Sequence, residues 1–269
     1  MHTIAQWLAP GLPEISTSVR RQLLAFVLDK NTAWLLAHGE VQLNAQQLQQ
    51  LNQYQKQYLT GTPLAYIIGR QPFWDLLLKV NEHTLIPRPD TELIIETLLE
   101  LAITPHHILD LGTGSGALAL VLARLYPTSQ VTATDISQQA LKVATDNAHQ
   151  YQIKNIQFKH SDWLKDIQAE NFDLIVSNPP YIEPKDEHLK DLVHEPIHAL
   201  VSEQDGLADL KTIIEHGRIH LSHKGLLMVE HGYNQQQAVF DLFVDNQYSH
   251  IKTLFDIEQR PRATMGYRH

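Results

Sequence analysis

The sequence predicts an α/β protein: a doubly wound parallel sheet preceded by a short helical region. Three observations carry this. From about residue 91 to residue 230, short apolar runs that suit buried strands alternate with stretches of helical periodicity. Strands separated by helices require crossover connections, and hence parallel pairing. Before residue 63 the pattern is helical alone, and Gly61-Thr62-Pro63 breaks it.

In chain order, residues 16–30 are amphipathic through Val19, Leu23, Leu24, Phe26 and Val27. Residues 44–59 carry a stripe of Leu48, Leu51, Tyr54, Gln55, Tyr58 and Leu59 at helical spacing, apolar with two polar interruptions, and Asn44 with Gln47 forms a capping-box start. Both stripes are read as core rather than docking surface. Residues 64–86 read as short strands or a hairpin ending at Pro87-Arg88-Pro89, and residues 91–103 as a helix capped by Asp90 or Thr91. Strands follow at His107–Leu111, Val131–Thr134, Ile156–Lys159, Asp173–Ser177 and Leu226–Glu230. The helices among them are Ala117–Tyr126, Ser137–Gln150 and Leu207–Leu221.

Composition narrows the class. With 269 residues and 43% hydrophobic content, the chain can bury a sizeable core. Cysteine is absent, which excludes disulfide frameworks and thiolate-held zinc and suits a reducing compartment. The N-terminus lacks a secretory pattern, and the longest apolar stretch, Ala117 to Leu125, is broken by Arg124 and falls short of the roughly 20 residues a membrane span needs. A soluble cytoplasmic protein without a membrane partner is expected, and nothing demands more than a monomer. The net charge is −9; residues 1–85 hold six Lys/Arg against five Asp/Glu, and the rest fifteen against twenty-five. That balance is a poor match for nucleic-acid phosphates, so direct nucleic-acid recognition is not expected.

Open parallel sheets bind ligands at the carboxyl ends of their strands. The first strand runs into Asp110-Leu111-Gly112-Thr113-Gly114-Ser115-Gly116-Ala117. Its glycines permit positive φ and close backbone approach, and the following helix offers free amides. Asp110, Gly112, Thr113, Gly114, Ser115 and Gly116 are therefore candidate cofactor residues. The loop alone does not choose the cofactor, because Gly112, Gly114 and Ala117 also fit the dinucleotide pattern. Asp135, ending the second strand, has the chemistry to accept from ribose hydroxyls; the other reading is a helix cap. After the third strand, Asp162 can meet an adenine amino group and Trp163 can lie against the ring; the other reading of Trp163 is packing at a sheet edge.

The fourth strand ends in Ser177-Asn178-Pro179-Pro180-Tyr181. Proline fixes φ and carries no donor, so the Pro179 carbonyl is held in a set direction without competition from Pro180. A planar –NH2 group is a weak nucleophile because its lone pair is delocalised. Two acceptors, the Asn178 side-chain oxygen and the Pro179 carbonyl, can each take one N–H and aim the nitrogen at a methyl donor. Tyr181 can stack on the planar group. Positioning and fixed dipoles then supply the catalysis, and the motif builds in no general base. Asn178, Pro179, Pro180 and Tyr181 are the candidate catalytic and substrate-binding residues.

Asn178-Pro179-Pro180-Tyr181 together with the glycine loop resembles the amino-methyltransferases, which include DNA adenine and cytosine amino-methylases and protein glutamine methyltransferases. The wider pattern resembles the release-factor glutamine methyltransferases of the HemK/PrmC type. It is carried by Leu85 to Glu92 (Leu-Ile-Pro-Arg-Pro-Asp-Thr-Glu), Ile108 to Ala119, Val131 to Ser137, Ser161-Asp162-Trp163, Asp173 to Ile182, Glu195-Pro196 with Ala199-Leu200, and Asp205-Gly206-Leu207. The resemblance implies a helical N-terminal substrate-recognition domain (1–62), a β-hairpin linker (63–90) and a Rossmann-like, seven-stranded class I methyltransferase domain (91–269). It implies S-adenosyl-L-methionine as cofactor and the glutamine of the Gly-Gly-Gln loop of class-1 peptide chain release factors as substrate. It places Asn178 against both cofactor and substrate, and Arg88 near the substrate. Two local departures are His194, where the family usually has an aromatic, and the tail Arg260-Pro261-Arg262-Ala263-Thr264.

Alternative functions are weaker. A ribosomal-protein glutamine methyltransferase would share the corner. A DNA adenine methyltransferase must extrude its base and usually carries a basic recognition module, which the near-neutral first 85 residues do not supply. Only the glycine loop speaks for an oxidoreductase, and a non-catalytic binding module would be expected to lose Asn178 or the glycines. His194-Glu195-Pro196-Ile197-His198 matches the zinc-protease string, but Pro196 bars the helix that string needs, so no metal site is expected.

Overall fold

The computed structural model describes residues 2–9, 15–168 and 171–269. The chain divides into two compact units, Met1–Gly69 and Arg70–His269. The described part of the first unit contains helices α1 (Ile4–Leu8), α2 (Thr17–Leu28), α3 (Thr32–Ala37), α4 (Ala45–Leu59) and α5 (Leu64–Ile68). Ser16, Asn31 and Asn44 cap α2, α3 and α4 by accepting amide hydrogens from Val19, Trp34 and Gln47. Asn44 and Gln47 form the reciprocal box expected from the sequence. Ile4, Leu23, Leu24, Leu35 and Leu51 form the dry centre of this unit.

Residues 64–68 are helical, not extended as their β-prone Tyr66, Ile67 and Ile68 suggest. Pro63 presets the entry, and its carbonyl accepts from the amides of Tyr66 and Ile67. Gly69 closes the turn in the left-handed region, its amide returning to the Ala65 carbonyl. The extended segment begins one residue later, as the antiparallel hairpin β1 (Arg70–Phe73) and β2 (Leu76–Lys79).

The rest of the second unit runs α6 (Glu92–Leu101), β3 (His107–Leu111), α7 (Ala117–Leu125), β4 (Gln130–Asp135), α8 (Gln138–Gln150), β5 (Ile156–His160) and β6 (Phe172–Ser177). It continues with α9 (Glu203–Gly206), α10 (Ala208–His220), β7 (Leu221–Glu230), α11 (Gln236–Asp245), β8 (Tyr248–Phe255) and β9 (Pro261–Arg268). The seven strands form one sheet in the order β5-β4-β3-β6-β7-β9-β8, parallel except for β9 and β8. Apolar clusters cover both faces. One gathers Ile94, Leu98, Leu120 and Leu122 on the strands; the other gathers Leu210, Ile214, Val239 and Phe243.

The chain order reverses between β3 and β6, which places a switch point there. Leu111 and Ser177 are register partners at those strand ends, and the Ser177 hydroxyl donates to the Leu111 carbonyl at 2.8 Å. The two loops singled out in the sequence therefore leave the sheet side by side.

Candidate active site

The glycine loop is shaped by short-range partners. Gly112, Gly114 and Gly116 all have left-handed φ. The Asp110 carboxylate is buried; it accepts from the Thr113 hydroxyl at 2.6 Å and from the Ala119 amide at 3.2 Å. Burial pushes its pKa up to about 7 against the pull of those two donors. Asn147 of α8 donates to the Ser115 carbonyl at 2.9 Å and to the Lys79 carbonyl at 3.0 Å, tying the loop to the hairpin. The Asp135 carboxylate accepts from the Gly114 amide and the Ser137 amide, each at 2.8 Å. Burial raises its pKa, opposed by those amides and by His198 and His160. The cap of α8 is Ser137, so Asp135 braces the loop instead of capping the helix.

Trp163 lies across this loop. A Cβ on Gly112 would stand 3.2 Å from the indole, so only glycine leaves room for the ring at a φ of +70°. The indole N–H donates to Asp209 at 2.9 Å, which fixes the ring plane. Asp162 is ion-paired with Lys165.

The Asn-Pro-Pro-Tyr corner is held by residues far away in sequence. The Asn178 Nδ2 donates to the Thr91 hydroxyl at 2.9 Å, which leaves Oδ1 as the acceptor end of the amide. The Tyr181 hydroxyl donates to Glu230 Oε1 at 3.1 Å, and its carbonyl accepts from the Gln235 side chain at 3.0 Å. A Cβ on Gly206 would stand 2.1 Å from that same carbonyl oxygen, so glycine is obligatory there. Glu230 is 1% exposed, and burial raises its carboxyl to about 7. Burial and the neighbouring Glu230 push the Tyr181 hydroxyl well above its ordinary value. Arg88 is ion-paired with Glu195, whose second oxygen accepts from the Ile86 amide at 3.0 Å.

Three cavities adjoin at these strand ends. The largest cleft includes Gly112, Gly114, Asp135, Asp162, Trp163 and Asn178. A second is lined by Asp110, Thr113, Ser115, Thr91 and Asn178. The third holds Arg88, Asn178, Pro179, Pro180 and Tyr181. Asn178 lines all three. Gly116 lines none of them and packs on Leu120 and Ala144. The buried Ser115 hydroxyl, on the second cavity, lacks a hydrogen-bond partner among the described residues.

Residues 89–203 match the methyltransferase small domain, and residues 12–69 match the PrmC N-terminal domain. A release factor glutamine methyltransferase of Coxiella burnetii is 43% identical over 248 residues, covering 91% of this chain and 90% of that protein. One of Escherichia coli is 41% identical over 268 residues, covering 97% of each. The chain belongs to the release factor glutamine methyltransferase family. A solved methyltransferase of Pyrococcus furiosus shares the fold, with TM-score 0.58 at 17% identity over 81% of this chain and 98% of its own.

Within this release factor glutamine methyltransferase fold, several site residues have no local sequence signal. Glu230, Gln235 and Asp209 belong to no motif, and Thr91 reads as a helix cap and as part of the Leu85-to-Glu92 stretch. Thr91 makes no side-chain cap bond; its hydroxyl serves Asn178. His83 and His198 line the main cleft. The His194-to-His198 string lies in a turn and a single 3-10 turn (Ile197–Ala199), with Glu195 committed to Arg88 and Ile86. The unusual tail is close to the site: Arg262 bridges Asp256 and Asp90, and Thr264 meets His231.

Proposed function

We propose that this protein transfers a methyl group from S-adenosyl-L-methionine to the side-chain amide nitrogen of the glutamine in the Gly-Gly-Gln loop of class-1 peptide chain release factors. The observation that carries the reading is the position of Asn178 where the glycine-loop cleft meets the Asn-Pro-Pro-Tyr pocket. The names of the relatives support the choice of partner.

The residues present fit the cofactor. The orphan Ser115 hydroxyl suits a polar ligand, and Asp135 and Trp163 suit ribose hydroxyls and an aromatic base. Gly112 to Ser115, Asp135, Asp162 and Trp163 would hold it, with Asp110 bracing the loop and Gly116 turning the chain into α7. When bound, it supplies an electrophilic methyl on sulfonium. The chain's own work is to present the acceptor. Asn178 Oδ1 and the Pro179 carbonyl each accept one amide hydrogen, Tyr181 packs on the amide plane, and Pro180 adds no competing donor. Arg88 frames the pocket entrance. The residues up to 62 recognise the partner, 63–90 connect, and 91–269 carry the chemistry. Among the described residues no helix is long and apolar enough to cross a membrane; a monomer in the cytoplasm is the proposed working state.

The test is transfer of labelled methyl to three acceptors: a class-1 release factor, the same factor with its Gly-Gly-Gln glutamine changed to alanine, and unmethylated DNA. Label on the first alone is expected. Label on DNA overturns the partner assignment, and silence on all three with cofactor bound points to another protein acceptor.

A further inference from the structure

Asp209 lies in the first turn of α10, and it lines the main cleft with Trp163, Asp135 and Asp162. It is half-buried and anchored at both backbone and side chain. Its amide donates to the hydroxyl of the buried Ser202 at 3.1 Å, and its Oδ1 accepts from the Trp163 indole N–H at 2.9 Å. Among the described residues no cation and no second donor meets this carboxylate, so Oδ2 remains an open acceptor. Asp162 differs: its charge is answered by Lys165, and its side chain is 40% exposed.

We propose that Asp209 selects the base of the cofactor, its Oδ2 accepting a hydrogen bond from the exocyclic amino group of adenine. This rests on the methyltransferase reading above. Trp163 has a single side-chain donor, and it is spent on Asp209. The opposite edge of the ring faces Gly112, where an added Cβ would stand 3.2 Å from Cζ3 and 3.5 Å from Cη2. The indole therefore runs from the glycine loop at one edge to Asp209 at the other. Asp135, the residue suited to ribose hydroxyls, belongs to the loop end, since it accepts from the Gly114 amide. In adenosine the sugar joins the five-membered ring and the amino group the six-membered ring, at opposite ends of the base. A base lying on the indole with its ribose at Asp135 carries its amino group toward Asp209.

The pairing is chemically selective. A carboxylate only accepts. Adenine offers it an –NH2 group. Hypoxanthine, the deaminated base, has a carbonyl oxygen at that position and sets one acceptor against another. Hydrogen bonds to an ionised partner are among the strong ones, and a site built to pair a ligand group rejects the analogue that lacks it. Stacking on the indole and contacts with the glycine loop are common to both bases, so the discrimination falls on this one carboxylate.

The experiment measures, by calorimetry, the affinity of the full chain for S-adenosylhomocysteine, the demethylated cofactor, and for S-inosylhomocysteine, its deaminated counterpart. The proteins are the wild type, Asp209→Asn and Asp162→Asn. The wild type is expected to prefer the adenosyl compound on the order of tenfold or more. Asp209→Asn can still accept from the indole through its amide oxygen while presenting –NH2 in place of Oδ2. It should lose that preference or reverse it, binding the inosyl compound at least as tightly as the adenosyl one. Asp162→Asn should weaken both compounds alike and leave their ratio at the wild-type value. Should Asp209→Asn fail to keep the wild-type thermal midpoint, the ratios of the wild type and Asp162→Asn decide. Equal affinity of the wild type for the two compounds overturns the assignment. So does a ratio preserved in Asp209→Asn, which leaves Asp209 as a support for the Trp163 ring alone, or a ratio lost in Asp162→Asn, which gives the amino group to Asp162. A wild type that binds neither compound is a different failure: it removes the cofactor of the proposed function and this assignment with it.

Discussion

The loops after β3 and β6 leave the sheet as neighbours but are held in opposite ways. The glycine loop is braced partly from within its own stretch, Asp110 to Thr113 and Ala119, and partly from the next strand and helix, Asp135 to Gly114 and Asn147 to Ser115. The corner after β6 is braced by Thr91, Glu230 and Gln235, which lie 87, 49 and 54 residues away. The first loop owes part of its shape to residues inside its own stretch. The second depends on the assembled sheet, which suits a task where the direction of two acceptor oxygens decides the rate. The difference implies a division of labour, with the first loop setting cofactor affinity and the second setting turnover.

The sharpest way to break that division is Asn178→Ala. Turnover should fall on the order of a hundredfold or more while S-adenosylmethionine affinity, measured by calorimetry, changes less. Equal losses in both would merge the two loops into one function. Gly206→Ala attacks the corner from behind. Its Cβ would stand 2.1 Å from the Tyr181 carbonyl oxygen, in a left-handed conformation. The left-handed strain alone costs about 1–3 kcal/mol, and displacing the corner should lower turnover on the order of thirtyfold; stopped assays and denaturant melts read the two effects. Gly112→Ala presses on the Trp163 ring at 3.2 Å. It should weaken cofactor binding about tenfold with kcat moved by a smaller factor, since the contact is present before and during transfer.

The smallest expected effect is a slope. The folded Asp110 carboxyl titrates at about 7, against an ordinary value of 3.8. Between those values the folded state keeps a proton that the unfolded state has lost. The associated stability is complete below the unfolded value and is lost as pH rises through about 7. From about pH 6 to 7 the wild type should lose roughly 1 kcal/mol that Asp110→Asn does not lose. Denaturant midpoints at the two pH values check it, and identical slopes would show that Asp110 is already ionised in the loop.

The same contrast explains what the sequence makes legible. The glycine loop can be read from eight consecutive residues because the end of its strand, its turn and part of its bracing lie within them. The Asn-Pro-Pro-Tyr motif can be read as chemistry, but its supports cannot, since no periodicity links residue 178 to 91 or 181 to 230. Among helices, α2 and α4 are long enough to show an apolar stripe, while α1 and α3 are five and six residues and show none. In α5 the boundary signals Pro63 and Gly69 outweigh β-prone residues. The antiparallel pair β8 and β9 follows no crossover helix pattern, and its place in a seven-stranded sheet came only through the family resemblance.

The central claim is that the corner after β6 presents a planar amide nitrogen of a release factor for methylation. The most direct measurement is tandem mass spectrometry of a class-1 release factor after reaction with the protein and S-adenosylmethionine, with fragments that locate the added methyl. A single methyl on the side-chain nitrogen of the Gly-Gly-Gln glutamine is the result this account predicts. A methyl on any other residue or atom, with that glutamine unmodified, would contradict it.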